Sequence, residues 1–142
     1  MISEAFVCLV VAISDGDTIK ARCGEPGAYQ EVKVRLAEID APEKRQAYGE
    51  ASKRTLAALC AGVQAKITPE TTDRYGRTVA HVECRGQDAN TEQVRAGMAW
   101  VYDRYAKNQW LYTVQDAARL AGRGLWSEKA PIAPWEFRHP KR

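Results

Sequence analysis

The sequence has little of what the commoner metal and membrane chemistries require. Only two histidines, His81 and His139, occur in 142 residues. They are too few for a histidine-based metal site unless cysteines join them. None of the four cysteines, Cys8, Cys23, Cys60 and Cys84, sits in a Cys-x-x-Cys pair, which argues against zinc. Long apolar runs are missing: the longest, Ala5 to Ile13, is too short to cross a bilayer. It has the length of a signal-peptide core, but Glu4 precedes it without a basic residue and no small-x-small cleavage site follows. It therefore reads as a strand. Repeats and linkers are also lacking, so residues 1–142 are expected to form one domain with one core. Neither sign of charge dominates, and the net charge of +3 favours an anionic partner only mildly.

What is present is an ordinary globular composition, 45% hydrophobic and 27% charged, which excludes a disordered chain. Phe6–Ser14 is expected as a strand, turned by Asp15-Gly16 into a second strand, Thr18–Cys23. An Asp15-Gly16 tip would put Cys8 opposite Cys23, where a disulfide or two reduced core cysteines are both open; Cys60 and Cys84 have less to support a pairing. After the Gly24-Glu25-Pro26-Gly27 loop, Val32, Val34 and Leu36 alternate with Lys33 and Arg35, giving a third strand, Glu31–Glu38. A helix over Tyr48–Ala61 carries Leu56, Leu59 and Cys60 on one stripe, with Gly62 as its C-cap. Strands over Val63–Thr68 and Thr78–Cys84 follow. Asn90 and Gln93 have the spacing of a capping box for a short helix ending at Gly97. Trp100–Tyr105 is aromatic and irregular, and Asn108 is placed to cap a third helix running to Ala121. The tail, 128–142, is rich in proline and aromatic residues and is expected to wrap over a body spanning about residues 6–127. Five short strands with a helix between the third and fourth suit a small closed barrel, an α+β fold that is mainly β with about three helices.

The candidate chemistry lies at strand ends. Asp17 leaves the first turn, where an acid ordinarily satisfies backbone donors. Asp40 and Glu43 flank Pro42, which stops the third strand. Clustered carboxylates without histidine or thiolate suit a hard cation bound through oxygen, calcium or magnesium, and a backbone carbonyl such as that of Ala41 can add a ligand. Arg35 reads either as an exposed strand residue paired with an acid or as a two-pronged donor to a metal-bound phosphate. Arg77, after Gly76, can do the same from the other side, flanked by Arg74 and Tyr75.

Three motifs then stand in register: Asp15-Gly16-Asp17-Thr18; Val34-Arg35-Leu36 with Ile39-Asp40-Ala41-Pro42-Glu43; and Asp73-Arg74-Tyr75-Gly76-Arg77. In order and spacing they resemble the staphylococcal nuclease (thermonuclease) family, and the similarity runs from about Val7 to Trp126. The resemblance implies a five-stranded oligonucleotide-binding-type Greek-key barrel and a calcium-dependent phosphodiesterase acting on DNA and/or RNA with low sequence specificity. By resemblance, Asp17 and Asp40 are calcium ligands and Ala41, in place of the family's threonine, contributes its carbonyl. Glu43 matches the glutamate near the attacking water, and Arg35 and Arg77 match the phosphate-binding arginines. Arg74, Tyr75 and Tyr105 match positions that contact the nucleotide. The loop between Glu43 and Tyr48 is shorter than the family's and lacks its lysines, and Asp103 stands where a second tyrosine is usual, with Tyr102 beside it. The alternative class is a non-catalytic nucleic-acid- or protein-binding module, which the retention of Asp17, Arg35, Asp40, Glu43 and Arg77 speaks against. No membrane association and no obligate protein partner are implied. A secreted or periplasmic location, as a mature form without its leader, is favoured, with the cytoplasm left open.

Overall fold

A computed structural model describes residues 4–140. Its first strands follow from alternation, because side chains of a strand point to opposite faces in turn. In β1 (Phe6–Asp15) Cys8 and Val10 point inward; in β2 (Thr18–Cys23) Ile19 and Ala21 do; in β3 (Gln30–Leu36) Val34 and Leu36 do. A two-residue strand, β4 (Ile39–Asp40), follows β3. β1 also pairs with β5 (Gln64–Thr72), and β5 with β6 (Thr78–Cys84), both antiparallel. β6 then lies parallel to β3, with Val34 opposite Thr78 and Leu36 opposite Ala80. That pairing closes the order β3-β2-β1-β5-β6 into a five-stranded mixed barrel, the expected architecture, and closure leaves the main strands without a free edge.

Among the described residues, four α-helices pack around the barrel: α1 (Gly49–Cys60), α2 (Ala89–Arg95), α3 (Trp110–Leu120) and α4 (Pro134–Arg138). α4 is one more than the sequence suggests. Pro134 opens it, where proline's missing N–H has no helical partner to lose. α1 buries Leu56 and Cys60 against the same core as Ile19, Val34, Ile67 and Val82. The cysteines pair as Cys8–Cys23, with Cα atoms 4.6 Å apart, and Cys60–Cys84, at 5.4 Å. The second pair joins α1 to β6. Among the described residues no helix is long and apolar enough to cross a membrane.

Several local expectations give way. β3 stops at Leu36 rather than Glu38, because the chain turns there with Glu38 in the left-handed region (φ 69°). Glu38 is buried: it is only 7% exposed, and one of its oxygens accepts from the backbone N–H groups of Lys107 and Asn108 at 2.6 and 2.8 Å. β5 runs past Thr68 to Thr72, with Pro69 still opposite Ala80 but at the edge of a register shift and beyond Ile67, where the pairing of β5 with β1 ends. Trp100–Val101 is not irregular but a short strand, β8, paired with β4. α2 is capped by Asp88, at the end of the short β7 (Gln87–Asp88), and not by Asn90. Asn90 is fully buried instead. Its amide accepts from Val82 N–H (3.1 Å) and donates to the carbonyls of Ala37 (2.9 Å) and Ala80 (3.2 Å), tying β6 to the turn between β3 and β4. In the tail, the Ile132 carbonyl accepts from Gln46 and Trp135 stacks on Tyr102; Lys141 and Arg142 lie outside the described residues.

Candidate active site

The turn between β1 and β2 sets the first acid. Gly16 and Asp17 form its tip, with Asp15 opposite Thr18. Gly16 packs so closely on α1 that an added Cβ would meet Ser52 Cβ at 2.7 Å and Ala41 Cβ at 2.9 Å. Behind it, Gln93 donates to the Gly16 carbonyl at 2.7 Å and to the Ser52 carbonyl at 3.1 Å, while Ser52 Oγ donates to the Met98 carbonyl at 2.7 Å. This buried polar group fixes the turn against two helices. Asp17 is thereby aimed at the chain after β4, where its Oδ2 accepts the Ala41 N–H at 2.7 Å; its Oδ1 accepts the Thr18 hydroxyl at 3.0 Å.

Arg35 lies on the outward face of β3, opposite Thr18. Its Nη1 donates to the carbonyls of Leu36 and Ile39, both at 2.9 Å, and so holds the turn between β3 and β4. The same guanidinium bridges two acids, with Nη1 3.4 Å from Asp17 Oδ2 and Nη2 3.3 Å from Asp40 Oδ1. Asp17, Arg35 and Asp40 are therefore brought together. Asp40 sits in β4 with a side chain only 1% exposed. Glu43 joins it through Arg138, which was not foreseen: Arg138 Nη1 donates to Asp40 Oδ1 (3.0 Å) and Glu43 Oε1 (2.6 Å), and Nη2 to Asp40 Oδ2 (2.8 Å). No sequence pattern links Arg138 to these acids. The only signal is the Pro134-Trp135-Glu136-Phe137 run that marks the tail for docking.

Charge follows this geometry. Burial works to raise the Asp17 pKa, but the Arg35 charge and several hydrogen bonds prevail and hold it below the usual aspartate range. Asp15 behaves in the opposite way. Burial, and then the neighbouring charge of Asp17, push its carboxyl up to about 7. Burial also raises Asp40, against the hydrogen bond from Arg138. Arg138 is held more firmly protonated, first by its bond to Asp40. Asp15 was treated in the sequence as a turn residue alone; the two acids flanking a glycine were the available signal.

Arg77 lies one residue before Thr78, the partner of Val34 in the barrel-closing pair. Its Nε donates to Asp73 Oδ2 at 2.7 Å, and Asp73 Oδ1 accepts the N–H groups of Tyr75 and Arg77. Burial opposes ionisation of Asp73, but these bonds, the Arg77 N–H first, lower its pKa. Arg74 donates to the Tyr75 hydroxyl at 3.0 Å, and both Arg74 and Arg77 lie over the Tyr75 ring. Among the described residues this loop makes no hydrogen bond or ion pair with Asp17, Arg35, Asp40 or Glu43. Tyr105 is half-exposed and meets Tyr102 edge-on at 4.9 Å. Tyr102 in turn stacks flat on Trp135 at 5.2 Å and lies under Arg138 at 6.0 Å.

Asp17, Asp40 and Glu43 offer carboxylate oxygens, a donor set suited to a hard cation. The seating of the Arg138 guanidinium on Asp40 and Glu43 shows that the pocket accepts positive charge. A second group, Glu38, Glu70 and His81, brings its ligand atoms within 4.8 Å of one another. His81 Nε2 there lies 3.1 Å from Glu38 and 3.0 Å from Glu70.

A family model described as "Staphylococcal nuclease homologue" matches residues 33–128. A Haemophilus influenzae protein named "Uncharacterized endonuclease" is 42% identical over 139 residues, which cover 98% of this chain and 76% of that one. An Escherichia coli O157:H7 protein of the same name is 42% identical over 133 residues, covering 93% and 84%. A "Micrococcal nuclease" of Shigella flexneri is 36% identical over 144 residues, covering 94% and 80%.

Proposed function

The chain belongs to the staphylococcal nuclease homologue family, and on that premise we propose that it is a calcium-dependent nuclease hydrolysing phosphodiester bonds of DNA and/or RNA. The observation that carries this reading is the convergence of Asp17 and Asp40 on the Arg35 guanidinium, with Glu43 alongside. Asp17, Asp40 and the Ala41 carbonyl would hold the calcium, which, when bound, polarises a phosphoryl oxygen. Arg35 commits Nη1 to two carbonyls, and among the described residues its Nε has no partner. The edge formed by Nε and Nη2 can therefore give two parallel hydrogen bonds to a phosphate. Arg77 supplies a second guanidinium from the β5–β6 loop. Charge grows on the phosphoryl oxygens in the transition state, so donors aimed at them accelerate the reaction. Glu43 orients the attacking water at its carboxylate or takes its proton.

The substrate class is supported by the outer face of β2 and β3. Lys20 stands directly opposite Lys33, and Arg22 lies over Tyr29 at 4.8 Å. Like charges paired across strands are unfavourable without an anionic partner, although Lys20 also reaches Glu31 at 3.9 Å. Exposed Tyr75 and Tyr105 offer stacking surfaces for a base, and phosphate contacts carry no sequence information, which fits low specificity. The two cysteine pairs support an oxidising location, secreted or periplasmic. The reading is tested by Arg35→Ala and Arg77→Ala in a cleavage assay on single-stranded DNA with calcium. Each should lower the rate by orders of magnitude. Near-normal turnover would remove that residue from the mechanism, and binding without any cleavage by the native chain would favour a non-catalytic module.

A further inference from the structure

Arg138 lies beyond the residues that the family model matches, which end at 128. Its position is nonetheless well determined by its neighbours. Pro134 is buried, Trp135 stacks on Tyr102 with the rings only 3° from parallel, and the same Trp135 meets Trp100 edge-on at 5.6 Å. Upstream, Gln46 Nε2 donates to the Ile132 carbonyl at 2.6 Å. The tail is thus strapped across the mouth of the site, and α4 points Arg138 at the acids. Its guanidinium engages Asp40 end-on through both nitrogens and reaches Glu43 with one of them. Two parallel N–H bonds from arginine to one carboxylate make a strong and geometrically specific ion pair.

We propose that Arg138, anchored also on Glu43, is a tethered cation that competes with calcium for Asp40, and so sets the calcium concentration at which the site fills. The proposal rests on reading Asp40 as a calcium ligand. Calcium binds carboxylate oxygens at about 2.4 Å. Both Asp40 oxygens already accept from Arg138, and Oδ1 also accepts from Arg35. A divalent ion at those oxygens must displace the guanidinium or share them with it against like-charge repulsion. Arg35 cannot yield as readily, because its carbonyl bonds anchor it within the β3–β4 turn. Arg138 can: it sits on a five-residue helix with its side chain 31% exposed, held mainly by aromatic contacts. Arg138 lies over the Tyr102 ring on which Trp135 stacks, so its release removes a charge from beside that aromatic pair, which provides an optical signal.

The test is a calcium titration of the full chain without substrate, by calorimetry and by tryptophan emission, for the native protein and Arg138→Gln. Arg138→Gln should bind calcium about ten- to a hundredfold more tightly, the range expected when a charge-assisted hydrogen-bonded pair no longer has to be broken. Arg138→Lys, which keeps the charge but loses the fork, should fall between. In the native chain tryptophan emission should change in step with calcium binding. Equal or weaker calcium affinity in both variants would overturn the proposal while leaving the calcium site intact. An absence of calcium binding in the native chain and in both variants would overturn it together with the reading of Asp40 as a ligand.

Discussion

Replacing Gly16 with alanine should destabilise the protein and disturb the acid beside it. The Gly16 backbone is not in the left-handed region, so the substitution meets no conformational penalty there. Its effect comes from space. The new Cβ would lie 2.7 Å from Ser52 Cβ and 2.9 Å from Ala41 Cβ, closer than carbon atoms pack. Ser52 is held by Met98 and Gln93 and cannot retreat without breaking those bonds. Ala41 can move only by stretching its N–H away from Asp17 Oδ2. Overpacking alone costs about 1–3 kcal/mol. Losing the buried Ala41–Asp17 bond adds about 1–3 kcal/mol. The expected loss is therefore about 2–6 kcal/mol, a large part of a small domain's stability of about 5–15 kcal/mol. Equilibrium urea unfolding measures it, with Gly27→Ala as control. Gly27 has φ 87° but nothing within 4 Å, so its substitution should cost only the backbone strain, about 1–2 kcal/mol. A Gly16→Ala loss below about 0.5 kcal/mol, the size of an inconsequential surface change, would refute the claim that close packing places Asp17.

Asp15 makes stability depend on pH. Its folded pKa of about 7 lies above its ordinary value of 3.8, so the folded state keeps a proton that the unfolded chain has already released. The calcium-free protein should lose stability as pH rises from about 4 to about 7, and Asp15→Asn should flatten the slope; an unchanged slope in that variant would assign the effect elsewhere. For the outer face of β2 and β3, Lys20→Ala/Lys33→Ala should make the salt dependence of single-stranded DNA binding shallower by about 1.4, at about 0.7 for each lost phosphate contact. Fluorescence anisotropy in chelator measures this, and an unaltered slope would take the two lysines off the substrate path.

The strands near the site were legible because alternation is a local property, and Val32, Val34 and Leu36 announce it. The placing of Cys8 opposite Cys23, with a disulfide left open, came through a turn that is one step away from the real one. The tip is Gly16-Asp17, and register shifts between Val10 and Ala12 and between Ile13 and Asp15 restore Leu9 opposite Arg22. Two displacements compensate, and neither is written in a pattern of residue types. Asn90 and Gln93 show a different limit. Their spacing fits a capping box, but the same amides satisfy buried backbone groups from β6, the first turn and α1. A polar residue reads alike in both settings until the surrounding elements are packed. Asp17, Arg35 and Asp40 could be placed near one another because β2 and β3 are sequence neighbours, with Asp17 just before β2 and Asp40 just after β3. Arg138 could not, since 98 residues separate it from Asp40 and only the folded tail brings it there.

The central claim is that this cluster of acids works with calcium to hydrolyse a phosphodiester. Hydrolysis of single-stranded DNA by the native chain, followed with calcium, with excess chelator, and with calcium restored, tests it most directly. Cleavage is expected in calcium, with its loss in chelator and its return when calcium is added back. Cleavage that persists in chelator would contradict the claim.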